Sequence, residues 1–153
     1  MSIPKHLTLS YQFAKKQKRI ITPVYLYPVQ PNGTKAVTTD ALWDTGASMS
    51  AITPEIKDRL KLIPIDRRVI TGVHNTLEVD VVLVTLELPN NVIKKNIEAV
   101  VCNIGSSIGM ILGMDIILLG DFAISNGNEQ TLVSFAVPPF HDKIDFTTRQ
   151  NDP

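Results

Sequence analysis

Ala41-Leu42-Trp43-Asp44-Thr45-Gly46-Ala47-Ser48 is the stretch whose reading decides the fold. Ala41, Leu42 and Trp43 suit a buried strand, and the strand delivers a carboxylate, Asp44. A carboxylate at such a place is costly unless it is hydrogen-bonded or shares a proton. Thr45 supplies a hydroxyl, and Gly46 permits a tight turn and close backbone approach. Ala47 and Ser48 are small enough to leave room for something alongside. The arrangement presents one carboxyl on an apolar platform, which is half of an acid/base pair. Two carboxyls held together cannot both ionise, so one serves as base and the other as acid. The plainer alternative is a turn in which Asp44 caps its own loop.

Composition sets the frame. The 153 residues suit one domain with a real core, and a hydrophobic share of 44% is that of a folded chain. Fifteen basic residues balance 15 acidic ones, so no global field favours nucleic acid. The single Cys102 excludes an internal disulfide and fits a reducing compartment. His6, His74 and His141 are scattered, without zinc-ligand spacing. There is no N-terminal apolar h-region, and no uninterrupted apolar run approaches the length of a membrane span. The expectation is a cytoplasmic protein with no membrane or nucleic-acid partner, no metal and no cofactor.

Working outward, residues 1–19 read as a polar arm, basic at Lys15, Lys16, Lys18 and Arg19. Residues 20–139 read as the folded domain and 140–153 as a polar tail. Ile20 to Val29 is β-like, with Pro23 and Pro28 arguing for an edge strand or broken pairing. Pro31-Asn32-Gly33 signals a turn, and Ala36 to Trp43 returns as the strand that ends at Asp44. Met49 to Ile52 reads as a short strand. Thr53-Pro54-Glu55 starts a short helix that ends before Pro64. Val69 to Thr76, with Gly72 and Asn75 in a β-prone context, reads as a hairpin tip. Leu77 to Leu88 alternates, but the phase switches at Val81-Val82, as a bulge or a change of buried face would cause. Pro89-Asn90-Asn91 turns the chain into a strand from Val92 to Cys102. Met110 to Leu112 reads as a buried strand, followed by a short helix capped by Asp115 and stopped at Gly120. Phe122 to Ser125 and Thr131 to Val137 complete a further hairpin.

Two apolar strands thus run into a Gly turn, Leu42-Trp43-Asp44-Thr45-Gly46 and Ile111-Leu112-Gly113. In this pairing and order, from about residue 20 to residue 138, the sequence resembles retropepsin-like aspartic proteases, the retroviral type and its bacterial and phage-borne relatives. The resemblance implies a mainly β, single-domain closed barrel with one or two short helices. It implies that Asp44 is the catalytic aspartate and that Thr45 and Gly46 support it. Gly46, Ala47 and Ser48 would meet the substrate, and Gly72, Val73 and His74 would belong to a flap. Ile111, Leu112 and Gly113 would cross beside the catalytic turn, with Asp115 supporting the helix that follows. Met114 stands where retroviral enzymes usually carry Arg, and Ser48 where they often carry Asp.

One domain holds one such aspartate. A two-fold homodimer brings identical residues together, so the partner's Asp44 completes the pair. The function implied is an aspartic endopeptidase acting on polypeptide. The alternatives are a retropepsin-fold binding or assembly module without turnover, and a plain β-rich domain whose Asp44 faces bulk solvent.

Overall fold

Alternating and apolar runs become ten strands and two short helices in the computed structural model, which describes residues 5–71, 76–105 and 107–149. β1 is Leu7–Phe13, β2 Ile21–Pro28, β3 Val37–Trp43 and β4 Ala51–Ile52. After helix α1, Pro54–Arg59, come β5, Pro64–Thr71, β6, Thr76–Glu87, and β7, Ile93–Val101. β8 is Met110–Leu112, helix α2 Met114–Ile117, β9 Asp121–Ser125 and β10 Thr131–Val137. The order β2-β3-β8-β4-β7-β6 closes on itself because β2 also pairs with β6, giving a six-stranded barrel. β5 hangs outside the ring on β6. The remaining strands form a separate sheet in the order β1-β10-β9. The expected closed, mainly β architecture with two short helices is therefore present.

The barrel interior holds Val24, Leu26, Val82, Val84, Leu86, Met110 and Leu112, all but excluded from solvent. Trp43 joins this core to the small sheet. Its ring stacks on Phe122 at 4.8 Å, meets Phe135 edge-on at 5.0 Å, and donates its indole N–H to Thr22 Oγ1 at 2.9 Å. Helix α1 starts as its sequence predicts: Thr53 Oγ1 accepts from the Ile56 N–H, and Pro54 fills the first turn. Among the described residues no helix is long and apolar enough to cross a membrane.

One expectation changes and two are refined. The stretch read as a solvated arm contributes β1, paired in register from Leu7↔Val137 to Phe13↔Thr131, with Leu9 only 6% exposed. The alternation Leu7, Leu9, Tyr11, Phe13 outweighs the basic run that follows it. Of the two readings of the prolines in β2, the broken pairing holds and the edge strand does not. β2 pairs with β3 over Ile21–Leu26 and with β6 over Tyr25–Pro28. Pro23 lies where only the β3 side is paired, so its missing N–H costs no ladder bond on the other side. The polar tail is tied at its start, where the Phe140 N–H donates to Asp121 Oδ2 at 2.7 Å and the Phe140 ring stacks on His6.

The phase switch at Val81-Val82 has both of its expected causes. On β5, Pro64 opposes Val82 and Asp66 opposes Val81, a bulge on the partner strand. The buried face also changes: Val82, Val84 and Leu86 fill the barrel, whereas Val79 and Val81 pack into a second cluster with Ala51 and Val100.

Candidate active site

Asp44 leaves β3 at its buried end. Its backbone N–H donates to Leu112 O at 3.0 Å, extending the parallel pairing Leu42↔Ile111 and Trp43↔Leu112 by one step. The side chain is half-buried, and the Gly46 N–H donates to its Oδ1 at 2.8 Å. The Ala47 N–H donates to Asp44 O at 3.2 Å and closes the turn. Thr45, Gly46 and Ser48 are exposed, and Ala47 is half-buried. Asp44 and Thr45 line an open cleft of ≈ 330 Å³ with Trp43, Phe122, Ile124, Lys18 and Arg19. This placement contradicts the plain β-rich alternative, in which Asp44 has no cleft.

The second motif crosses beside this turn. The Met114 N–H donates to Ala47 O at 2.8 Å, so Ala47 spends both of its backbone groups inside the fold. Gly113 approaches so closely that a Cβ there would lie 2.7 Å from Met49 backbone atoms and 2.9 Å from Ala47 O. Only glycine fits such a crossing of two main chains.

Ser50 ties the two loops and had no place in the sequence reading. It is fully buried. Its Oγ donates to Asp115 Oδ1 at 2.8 Å and accepts from the Gly113 N–H at 3.1 Å, while its own N–H donates to Asp115 Oδ2 at 3.1 Å. Asp115 is therefore not the helix cap the sequence suggested. Gly113 occupies the N-cap position of α2 without a side-chain bond, and Asp115 sits in the first turn with its carboxylate turned to Ser50. Ser50 stands directly before β4, and nothing local in the sequence separates it from the exposed Ser48.

The second apolar cluster is the other feature missed. Met49, Ile70, Ile104 and Ile111 pack on its rim beside half-buried Cys102, whose thiol is pushed up by burial. Ile111 thus turns away from the barrel that holds Met110 and Leu112. In the β5–β6 hairpin Ile70 pairs with Leu77 and Arg68 with Val79, so the apolar face continues from Val81 to Leu77, which is 56% exposed. Arg68 borders it, its guanidinium 2.6 Å from Glu98 and 2.8 Å from Met49 Sδ. The hairpin positions Gly72, Val73 and His74 lie outside the described residues. On the hairpin's opposite face Asp80 is held below the usual carboxylate range, first by the hydrogen bond from Lys57 and then by the charges of Lys57 and Arg67. Among the described residues no three His, Cys, Asp or Glu side chains gather as a metal ion requires.

A half-buried Asp in a Thr-Gly turn, crossed by a strand-to-Gly turn on a closed six-stranded barrel, defines a retropepsin-like fold. A family model described as aspartyl protease matches residues 27–116, and the chain belongs to that family. Among solved structures, a retropepsin-like aspartic protease from Rickettsia conorii is 18% identical over 90% of this chain and 98% of its own, with a TM-score of 0.52. EIAV protease complexed with the inhibitor HBY-793 is 27% identical over 66% of this chain and 86% of its own, with a TM-score of 0.49. Simian foamy virus (mac) protease is 20% identical over 63% of this chain and 91% of its own, with a TM-score of 0.41. No curated protein sequence matches the chain.

Proposed function

We propose that this chain is one half of a homodimeric aspartic endopeptidase, with Asp44 of each copy supplying one carboxyl of a shared-proton pair. The observation that carries the reading is the setting of Asp44. Its carboxyl is fixed by the Gly46 N–H at the mouth of a cleft, on a turn locked from behind by Gly113 and Met114. One protomer holds one such carboxyl, so a two-fold axis beside Thr45 completes the site.

In this mechanism one carboxylate takes a proton from a water held between the pair, and the oxygen attacks the peptide carbonyl. The protonated carboxyl donates to the carbonyl oxygen. As the C–N bond breaks, the proton gained by the first carboxyl passes to the leaving nitrogen, and a hydroxyl of the tetrahedral intermediate returns its proton to the second carboxyl as the C=O re-forms, so the two groups finish with one proton between them. An extended polypeptide lies along the second apolar cluster, past Ala47, Ser48 and Met49. The hairpin side chains Ile70 and Leu77 face it from above. The retropepsin-fold binding module remains the competing class. It predicts binding of polypeptide without cleavage.

The test is cleavage of an unfolded polypeptide by purified protein across acid and neutral pH. Asp44→Asn and Asp44→Ala should both abolish it while circular dichroism stays unchanged. Undiminished cleavage by Asp44→Ala would rule the mechanism out.

A further inference from the structure

The basic run after β1 divides in two. Lys16 turns to Glu129, 2.8 Å away. Lys18 and Arg19 instead line the cleft that holds Asp44 and Thr45. The backbone that carries them is pinned on both sides. The Gln17 N–H donates to Oγ1 of fully buried Thr131 at 2.9 Å, and Ile20 O accepts from the Trp43 N–H at 2.9 Å. Among the described residues neither cation has a carboxylate partner. Asp44 is the one acidic group among the described residues that line the cleft. Two cations therefore face one carboxyl, in a chain whose charges balance at 15 against 15.

We propose that Lys18 and Arg19 make this endopeptidase select polypeptides with acidic side chains beside the bond that is cut. The selection rests on the protease reading of Asp44 given above. With two cations per copy, a two-fold pair sets four around two Asp44 carboxyls that share one proton and so carry one negative charge. The surplus is positive, and a cleft walled by one sign of charge gathers ligands of the other. A polypeptide that reaches the Asp44 carboxyl passes the mouth of this cleft, which brings its flanking side chains within range of both cations. Arg19 offers a carboxylate two parallel N–H bonds, and Lys18 offers a point charge. The apolar floor of Trp43, Phe122 and Ile124 keeps the local dielectric low and strengthens the attraction. Both cations are exposed, so each contact is worth a modest factor, and each is made twice in a two-fold pair.

The full chain and its Lys18→Gln, Arg19→Gln double variant are given chymotryptic peptides of a denatured bacterial lysate, and the cut sites are read by mass spectrometry. The parent should enrich Asp and Glu in the residues flanking the cut. On one such peptide the double variant should lose about threefold to tenfold in kcat/KM, and it should lose less than about twofold on the same peptide with Gln in place of the acids. Raised salt should narrow the parent's preference. Lys18→Glu with Arg19→Glu should turn it towards Lys and Arg, whereas Lys15→Glu, outside the cleft, should leave it unchanged. Acidic enrichment that survives the double variant overturns the proposal. So does a double variant that sediments as monomer where the parent is a dimer, because the cations then serve subunit contact. Binding of labelled poly-Glu and poly-Lys of equal length to the Asp44→Asn chain separates the two readings. Tighter binding of poly-Glu, with no cleavage by the parent, upholds the cations and removes the protease reading. Cleavage by the parent without acidic enrichment upholds the protease and overturns the role of the cations.

Discussion

The crossing of the Asp44 turn with β8 and α2 is built in the opposite way to the β5–β6 hairpin beyond Val81. At the crossing, main chains touch and bonds run both ways: Asp44 N–H to Leu112 O, Met114 N–H to Ala47 O, Ser50 Oγ to Asp115, and Gly113 N–H to Ser50 Oγ. Along the hairpin the apolar residues Val69 and Leu77 face water, and the Lys57–Asp80 ion pair holds it to α1. Under the proposed function the Asp44 carboxyl meets a twin, which calls for a fixed backbone, because a small displacement of reacting groups is costly. Under the proposed function the hairpin would admit a polypeptide, which calls for the reverse, few buried contacts and a low local stability.

Substitutions can break this contrast, and the largest effect falls at the crossing. Asp44→Asn keeps an oxygen to accept from the Gly46 N–H but cannot act as base. Peptide cleavage should drop on the order of a thousandfold or more, with the thermal transition unmoved. Gly113→Ala forces a methyl against the backbone of Met49 and Ala47, which cannot swing aside. Urea unfolding should show a loss of about 1–3 kcal/mol, and activity should fall with it. Ser50→Ala strands the Gly113 N–H and removes one donor from Asp115. A somewhat smaller loss, about 1–2 kcal/mol, is expected in the same measurement.

On the hairpin the sign of the comparison reverses. Leu77→Ser should change stability by no more than about 0.5 kcal/mol, because the side chain is already exposed. Its effect should appear as a raised KM for polypeptide. The smallest effect belongs to Asp80→Asn. Asp80 has its folded value lowered, so its contribution is present above the ordinary Asp range and is lost as pH falls through the lowered value. Thermal melts should show the parent ahead of Asp80→Asn near neutral pH and level with it in strong acid.

Much of the site was legible in the chain because it is local. An apolar run into Asp44-Thr45-Gly46, a Thr53-Pro54-Glu55 helix start and the second run into Gly113 each act over a few residues, and each forms where expected. Asp115 was misjudged for a physical reason. A carboxylate in the first turn of a helix satisfies the same pattern whether it caps its own helix or reaches a distant partner, and here Ser50 lies 65 residues away in sequence. β1 was missed because a basic run next to four alternating apolar residues drew the weight, and the strand that completes it is over a hundred residues later.

By itself, the sequence determined the carboxyl, its glycine turn and the alternating strands, since backbone sterics and side-chain periodicity are written residue by residue. Only the tertiary structure decided that β2 meets β6 to close the barrel, that Ser50 locks two crossing loops, and that Val79, Val81 and Ile111 gather outside the main core. Such pairings link segments far apart in the chain, and which distant partner buries a given face depends on the packing of all the others.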